Sequence, residues 1–232
     1  STSSIGSEDN DRRAAYNRGN SVQSLLSICS VDEDLPVAAQ NSEDEAALEN
    51  LAALFGDMMS TGAGELITDV IVNALDSHIQ SDNVQIFCLQ HVTEAVDCDT
   101  FLNAAGHVRI FRAMNTFPSS AAIHTEACRA LATMCASNTA RKILLQDGIC
   151  DQIDKTLLRF LGEEPMAEFA IQVLRSLSFE AGGSSSLIRL DIPTKVVEVM
   201  HCNMGSAGVQ RDGCAQLSNI SVAVEKQEVY VV

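Results

Sequence analysis

A spacing of about 42 residues recurs along the chain and restricts its fold more than any other feature. Four residues stand at the turn before an apolar segment of helical pattern: Gly64, Gly106, Gly148 and Asp191. They lie 42, 42 and 43 residues apart. Four others, 39, 43 and 43 residues apart, each begin the apolar pattern of a further helical segment: Val84, Ile123, Met166 and Val209. Because two independent markers share one period, the sequence predicts a solenoid of helical repeats.

The segment from Asn138 to Leu177 shows what one repeat contains. Its pattern predicts a short helix, a sharp turn at Gly148, an amphipathic second helix, a loop broken at Pro165 and a third helix. None of the three helices carries enough apolar surface to fold alone. Each repeat is therefore expected to be stabilised mainly by its interface with the next one.

The last repeat carries the most recognisable motif, VQRDGCAQLSNIS over residues 209–221. With a short helix, a turn glycine and a helix of the form I-x-x-x-V-x-x-L before it, this motif resembles the armadillo repeat. The resemblance covers roughly Glu43 to Val224. The HEAT-like repeat is the near neighbour, and the glycine between the first two helices favours armadillo. The resemblance implies an all-α fold, a right-handed superhelix of about four repeats behind an irregular N-terminal cap.

The repeats are expected to start at the turn residues and to span residues 64–105, 106–147, 148–190 and 191–232. Residues 1–20 are polar, and their composition predicts a flexible leader. Residues 21–63 are interpreted as the cap and an incomplete first repeat, with a helix break at Leu35-Pro36. In this segment Ser42 is predicted to cap a helix whose first turn is acidic. Pro193 is predicted to lie in the first turn of its helix.

The charge of the chain limits its partners. The formal net charge is −16, with 31 acidic and only 15 basic side chains. Binding to phosphate backbones or anionic membrane surfaces needs clustered lysine and arginine, so we expect neither nucleic acid nor a membrane as partner. No apolar run is long enough to insert in a bilayer, and no signal peptide is recognisable.

The eight cysteines show no paired framework. Four of them lie in third-helix patterns, where a small buried hydrophobe is expected: Cys88, Cys128, Cys135 and Cys214. We interpret all eight as reduced, which is typical of a cytoplasmic or nuclear protein.

Candidate catalytic and metal-binding groups are few. His201-Cys202 has no partner at ligand or triad spacing, and a helix-end imidazole beside a buried thiol is the favoured interpretation. Asp97-Cys98-Asp99 is better explained by helix termination than by calcium, because no further ligands follow. Gly182-Gly183 follows no strand, so a phosphate-binding loop is not supported. The sequence thus predicts no enzyme, no catalytic residue, no metal site and no cofactor.

The armadillo resemblance implies a concave groove lined by successive third helices. In nuclear-import adaptors of this family, Trp and Asn of a W-A-L-S-N pattern clamp a basic peptide there. Alignment on Leu217-Ser218-Asn219 gives the positions equivalent to Trp: Glu49, Gln90, Arg129, Gln172 and Ala215. Those equivalent to Asn are Ala53, Glu94, Thr133, Ser176 and Asn219. One Asn and no Trp remain, so the resemblance does not extend to an import adaptor. The strongly basic groove of the catenin branch is also missing, since only Arg129, Arg175 and Arg211 face that way.

Eight side chains are predicted to form a partner-binding groove: Gln90, Glu94, Arg129, Thr133, Gln172, Ser176, Arg211 and Asn219. Their amides and hydroxyls can hydrogen-bond the backbone of an extended peptide, while Arg129 and Arg211 can bind carboxylates or phosphates. The predicted function is a non-catalytic scaffold that binds an extended peptide or a partner helix. Two interpretations stay open beside it: a structural or regulatory module of a longer polypeptide, and a merely solvated face. End-to-end self-association through the C-terminal repeat is a further expectation.

Overall fold

The computed structural model describes residues 37–61, 64–180 and 182–229, and within these ranges the regular secondary structure is entirely α-helical. The helices are α1 (Val37–Thr61), α2 (Gly64–Ser77), α3 (Asp82–Ala95), α4 (Cys98–Asn103), α5 (Gly106–Thr116), α6 (Ala121–Met134), α7 (Asn138–Gln146), α8 (Ile149–Arg159), α9 (Glu164–Leu177), α10 (Gly183–Arg189), α11 (Ile192–Cys202) and α12 (Ala207–Val229). The predicted all-α class is confirmed. The leader predicted over residues 1–20 and the break at Leu35-Pro36 lie outside the described residues.

Helices of three kinds recur in the predicted order. Short first helices (α4, α7 and α10) are followed by second helices (α5, α8 and α11) and then by third helices (α6, α9 and α12). The helices α2 and α3 form the same second–third pair earlier in the chain, and α1 precedes them. Helix α1 and the third helices contact one another in sequence order: α1 contacts α3, α3 contacts α6, α6 contacts α9 and α9 contacts α12. Each group of helices therefore buries its apolar faces against its neighbours.

The turns before α5, α8 and α11 each contain a residue in the left-handed region of φ. These residues are Ala105 (φ 54°), Gly148 (φ 84°) and Asp191 (φ 53°), one before each of α5, α8 and α11. Gly148 was predicted correctly as the turn residue. Gly106 was not, because the left-handed position is Ala105. Gly106 is needed for a different reason: a Cβ atom there would overlap the ring of Phe101.

Serine side chains cap three of the third helices. Ser81, Ser120 and Ser206 accept hydrogen bonds from the main-chain N–H three residues later, at 3.4 Å in each case. The three N–H groups belong to Val84, Ile123 and Val209, three of the four residues that mark the period in the sequence. The remaining third helix, α9, is preceded by Glu163, and Pro165 lies inside its first turn. Pro165 therefore does not break the loop as predicted, since proline is well tolerated where no N–H is needed. Pro193 lies in the first turn of α11, as predicted.

Helix α1 is longer than its sequence pattern indicated. It begins at Val37 and continues through Ser42 to Thr61, so Ser42 is not an N-cap. The residues just before Ser42 include two alanines, which favour helix strongly, and the helix can start a turn and a half earlier than the acidic segment suggested.

Leucines of the third helices lie at the centre of the packed core. Leu131 of α6 and Leu174 of α9 are fully buried, as are Ile123 and Met166 at the helix starts. Ion pairs join consecutive groups of helices around this core. Arg141 of α7 binds Glu180 after α9 at 2.8 Å, and Arg109 of α5 binds Asp76 of α2 at 2.7 Å. The contacts between neighbours are thus apolar at the centre and charged at the edges.

The cysteines follow the prediction with one exception. Cys88, Cys128 and Cys135 are buried, and burial raises the pKa of Cys128 to about 12. Cys214 is exposed, because α12 has no following helix among the described residues to cover that side. No disulfide joins the seven cysteines in this part of the chain. None of the described helices combines the length and apolar character that crossing a bilayer requires.

Candidate binding face

The predicted groove residues lie at equivalent sequence positions of consecutive helices that contact one another. Among the positions equivalent to Trp and Asn, Glu49, Ala53 and Thr133 are exposed and the others are partly exposed: Gln90, Arg129, Gln172, Ser176, Ala215 and Asn219. The side chain of Glu94 is outside the described residues. We call this row the ladder face. None of its described members is buried, so the periodic alignment identified a surface rather than the core.

Arg129 is the most constrained side chain of the ladder face. Its guanidinium donates to Glu126 Oε2 of its own helix at 2.7 Å and to Thr93 Oγ1 of α3 at 2.6 Å. It also donates to the main-chain oxygen of Gln90 at 3.0 Å. These bonds occupy donors that the sequence analysis had assigned to a ligand. Arg129 therefore joins α3 to α6, and only a quarter of its side chain is exposed.

A buried carboxylate organises the next interval of the ladder face. Asp212 of α12 is 1% exposed and accepts from Arg211 Nη2 at 2.9 Å and from Gln172 Nε2 at 3.4 Å. It also pairs with Arg175 Nη1 at 3.1 Å. The hydrogen bond from Arg211, helped by the charge of Arg175, lowers the pKa of this carboxyl in spite of its burial. Asp212 thus stays ionised and holds two arginines at the junction of α9 and α12.

Asn219 makes the third connection between successive helices. Its amide donates to Ser178 Oγ at 3.0 Å, which links α12 to the end of α9. Ser176 and Thr133 instead donate to main-chain oxygens one turn earlier in their own helices, those of Gln172 and Arg129. The ladder face is therefore a set of polar cross-links between neighbouring helices, with the outer sides of its members open to solvent.

Two apolar side chains lie beside this row and were missed by the sequence analysis. Phe179 is 69% exposed and Val222 is 47% exposed. Each lies three residues after an Asn-equivalent, Ser176 or Asn219. Phe179 lies in the turn after α9, whereas Val222 lies within α12. The period itself could have identified them. At the same alignment position the two earlier segments carry a small or an acidic residue, Ala136 and Asp97, so an apolar residue there stands out.

The two ends of the ladder face differ in their charged side chains. At its start, Glu45 and Glu49 of α1 are exposed. At its end, Arg211 is 66% exposed although it contacts Asp212 and Glu168. Arg175 is 40% exposed in the same region. The C-terminal part of the face therefore combines cationic and apolar side chains, and the N-terminal part is acidic.

The side chains that could act in catalysis or metal binding make contacts within the fold. Asp97 caps α4 by accepting from Thr100 N at 2.9 Å and from Thr100 Oγ1 at 2.8 Å. The buried His124 hydrogen-bonds Thr156 Oγ1 through Nδ1 at 3.0 Å, and His107 Nε2 lies 2.7 Å from Asp147 Oδ2. His201 and Cys202 are both exposed, so the predicted buried thiol at that helix end is wrong. Within the described ranges, no three His, Cys, Asp or Glu side chains are grouped as metal ligands.

Comparison with known proteins gives information on the fold alone. No protein-family model matches the sequence, and no curated protein matches it. Among solved structures, the chain is similar to the crystal structure of an engineered protein, with a TM-score of 0.50 and 14% sequence identity. The similarity covers 88% of this chain and 90% of the engineered one. It supports an all-helical arrangement of this size.

Proposed function

We propose that the protein is a non-catalytic scaffold of armadillo-like repeats that binds an extended peptide or a partner helix on its ladder face. The observation that carries the proposal is the row of partly exposed polar side chains at equivalent positions of consecutive third helices. Packed helices lie about 10 Å apart, a distance that about three extended residues span. A ligand running across the helices would meet a new set of side chains at each step.

The C-terminal part of the ladder face is the favoured site of first contact. Phe179 and Val222 expose apolar surface there. A few well-placed side chains contribute most of the binding energy in typical interfaces, and arginine is common among them. Arg211 lies on the same pair of helices and keeps most of its side chain in solvent. The chemistry therefore fits a segment with one apolar side chain close to a carboxylate or a phosphate. Arg211 Nε and Nη2 already donate to Asp212. A ligand group would therefore be bound from the Nη1 side, by a charge-assisted hydrogen bond.

A displayed library of unstructured peptides can test the proposal against the whole chain. Selected peptides should be enriched in acidic or phosphorylated residues next to an apolar one. Their affinity, measured by fluorescence anisotropy, should fall when Phe179→Ala or Arg211→Gln is introduced. Phe179 is exposed, so Phe179→Ala is not expected to alter the melting temperature by more than a few degrees. Arg211→Gln removes hydrogen bonds to the buried Asp212 and should lower the melting temperature, so its binding is measured well below that temperature.

A matched pair of changes on α8 serves as the control. Leu158 is 52% exposed and Lys155 is exposed, and both lie on a second helix away from the ladder face. Leu158→Ala and Lys155→Gln remove the same kinds of groups, apolar and cationic, and should leave binding unchanged. If the α8 variants weaken binding and the ladder-face variants do not, the proposed site is wrong.

A second candidate is a structural module whose ladder face serves only to fasten its own helices. The observation in its favour is that Arg129, Gln172 and Asn219 all bond to neighbouring helices of the same chain. On this view the library selection returns no peptide whose binding depends on Phe179 or Arg211. The two candidates are therefore separated by the same experiment.

A further inference from the structure

Two exposed arginines at the C-terminal part of the ladder face are held side by side by one carboxylate. Arg175 of α9 and Arg211 of α12 both contact Oδ1 of Asp212, through Nη1 at 3.1 Å and through Nε at 3.2 Å. Their contacting nitrogens are therefore no more than two hydrogen-bond lengths apart, although the two residues belong to different helices. Because like charges this close repel each other, the carboxylate between them is what holds the arrangement together.

The carboxylate contacts the two guanidiniums from the inside of the protein. Asp212 is buried, whereas the side chains of Arg175 and Arg211 are 40% and 66% exposed. The hydrogen bond from Arg211 and the charge of Arg175 lower the pKa of Asp212 in spite of its burial, so the carboxylate is ionised at neutral pH. The solvent-facing sides of both guanidiniums stay open, and the two carry one more charge than Asp212 neutralises.

One further charged group faces this pair, the carboxylate of Glu168 on α9. Its Oε1 lies 3.7 Å from Arg211 Nη2, which is beyond hydrogen-bond distance. The same carboxylate lies against Gly208 in the first turn of α12, where an added Cβ atom would overlap it. A negative charge is favourable at a helix start, so α12 also accounts for the position of Glu168. Glu168 therefore offsets part of the positive charge but does not take up the hydrogen-bond donors of Arg211.

The remaining donors of the pair determine which ligand it fits. Arg211 presents Nε and Nη2 to Asp212, the edge with which arginine forms two parallel bonds to a carboxylate. The donors toward solvent therefore lie on two separate guanidiniums, one from each helix. A planar carboxylate matches a single edge of one arginine. A phosphate monoester instead presents three oxygens, carries a charge of about −1.5 to −2 at neutral pH and can accept from both arginines at once.

We propose that Arg175 and Arg211 form a clamp for a phosphorylated side chain in the peptide that binds the ladder face. The inference rests on the proposed function and names the chemistry that this part of the face recognises. Phe179 is 69% exposed, lies four residues after Arg175 and fits an apolar side chain near the phosphorylated residue. Phosphorylation of the partner then controls binding, because an unmodified hydroxyl brings no charge to the two arginines.

Three synthetic peptide pools test the clamp on the full chain. They share degenerate flanks with one leucine and differ at a single fixed position, which is phosphoserine, glutamate or serine. Because a phosphate forms about one to three charge-assisted hydrogen bonds in such a site, the phosphoserine pool should bind about tenfold more tightly than the others in fluorescence anisotropy. Equal binding of the three pools means that the clamp is wrong while the scaffold proposal stands. If no pool binds, the clamp is wrong, and the scaffold proposal is decided by whether the displayed library yields binders that depend on Phe179.

Substitutions around the pair give a second test. Glu168→Gln removes the negative charge that opposes a phosphate and leaves the contacts of Asp212 in place, so the phosphoserine pool should bind about threefold more tightly and the serine pool should not change. Arg175→Gln should remove most of the preference for phosphoserine. Arg189→Gln, at an exposed arginine of α10, is the matched control and should leave all three pools unchanged.

Melting temperatures followed by circular dichroism show whether each variant is folded under the binding conditions. Glu168→Gln keeps the test decisive even where Arg175→Gln is destabilised, since it does not touch the buried carboxylate. A Glu168→Gln variant that binds the phosphoserine pool no better than wild type would overturn the clamp. A folded Arg175→Gln variant that keeps the full preference for phosphoserine would do the same.

Discussion

Arg129 on α6 donates a hydrogen bond to the main-chain oxygen of Gln90 on α3, 39 residues earlier in the chain, over 3.0 Å. Gln90 and Arg129 occupy equivalent positions of consecutive third helices. One rung of the predicted ladder is thus bonded directly to the next. The contact gives Arg129 a role in fixing the spacing of two helices, whether or not a ligand binds above it.

Replacing Arg129 by Ala should therefore lower the stability of the protein. The change removes hydrogen bonds to Thr93, Gln90 and Glu126. Because hydrogen bonds from charged groups contribute about 1.5–3 kcal/mol and this side chain is partly solvated, we expect a loss of about 1–2 kcal/mol. Urea unfolding followed by circular dichroism measures it. Lys155→Ala, on the exposed side of α8, is the control and should change stability by less than about 0.5 kcal/mol.

The period of the sequence was enough to predict the kinds of helices but not all of their turns. Gly148 could be assigned because glycine favours positive φ, and it adopts φ 84°. Asp191 was placed at its turn by the period alone and adopts φ 53°. Ala105 adopts φ 54° one residue before the glycine that the period marked, and no local signal distinguishes it. Gly106 drew attention for the wrong reason, since its lack of a side chain makes room for Phe101.

The candidate site, like the turns, could be predicted from the sequence only in part. Equivalent positions of the helices could be aligned from sequence, and none of the described residues at these positions is buried. The partners of Arg129 and Asn219 could not be predicted, because they lie 36 to 41 residues away and depend on side-chain geometry. Whether the row binds a partner stays a prediction.

The three glycines at 106, 148 and 162 should respond differently to substitution by alanine. Gly106→Ala forces a Cβ atom into the ring of Phe101, and overpacking of this kind costs about 1–3 kcal/mol. Gly148→Ala meets no atom, but a side chain in the left-handed region costs about 1–2 kcal/mol. Gly162 has open space and ordinary φ, so Gly162→Ala should be neutral or slightly stabilising. Equal melting temperatures for all three variants would contradict this account.

The thiols should separate into two groups by reactivity. Burial raises the pKa of Cys128 and Cys135 to about 12 and that of Cys150 to about 11, so these groups stay protonated at pH 8. Only the thiolate reacts readily with alkylating reagents. Cys202 and Cys214 are exposed and should be modified first. Mass spectrometry of native protein after brief labelling checks the order, and early modification of Cys128 would show that the core opens.

His124 should make the protein less stable as the pH falls. Its ring is buried, and burial, together with the charge of Arg159, lowers its pKa below the ordinary value of 6.5. Below pH 6.5 the unfolded chain therefore binds a proton that the folded chain does not yet bind, and the free energy of unfolding decreases. The loss continues until the pH reaches the lowered pKa of the folded state.

The measurement is the midpoint of urea unfolding between pH 7.5 and pH 5, compared for wild type and His124→Gln. Glutamine keeps a polar group near Thr156, which His124 contacts at 3.0 Å, but cannot titrate. The variant should be less stable at pH 7.5, because a buried hydrogen-bonded ring is lost, yet its stability should depend less on pH. Since five histidines are present, the wild-type slope alone does not identify the group. A variant whose slope equals that of the wild type would show that His124 is not the group that titrates.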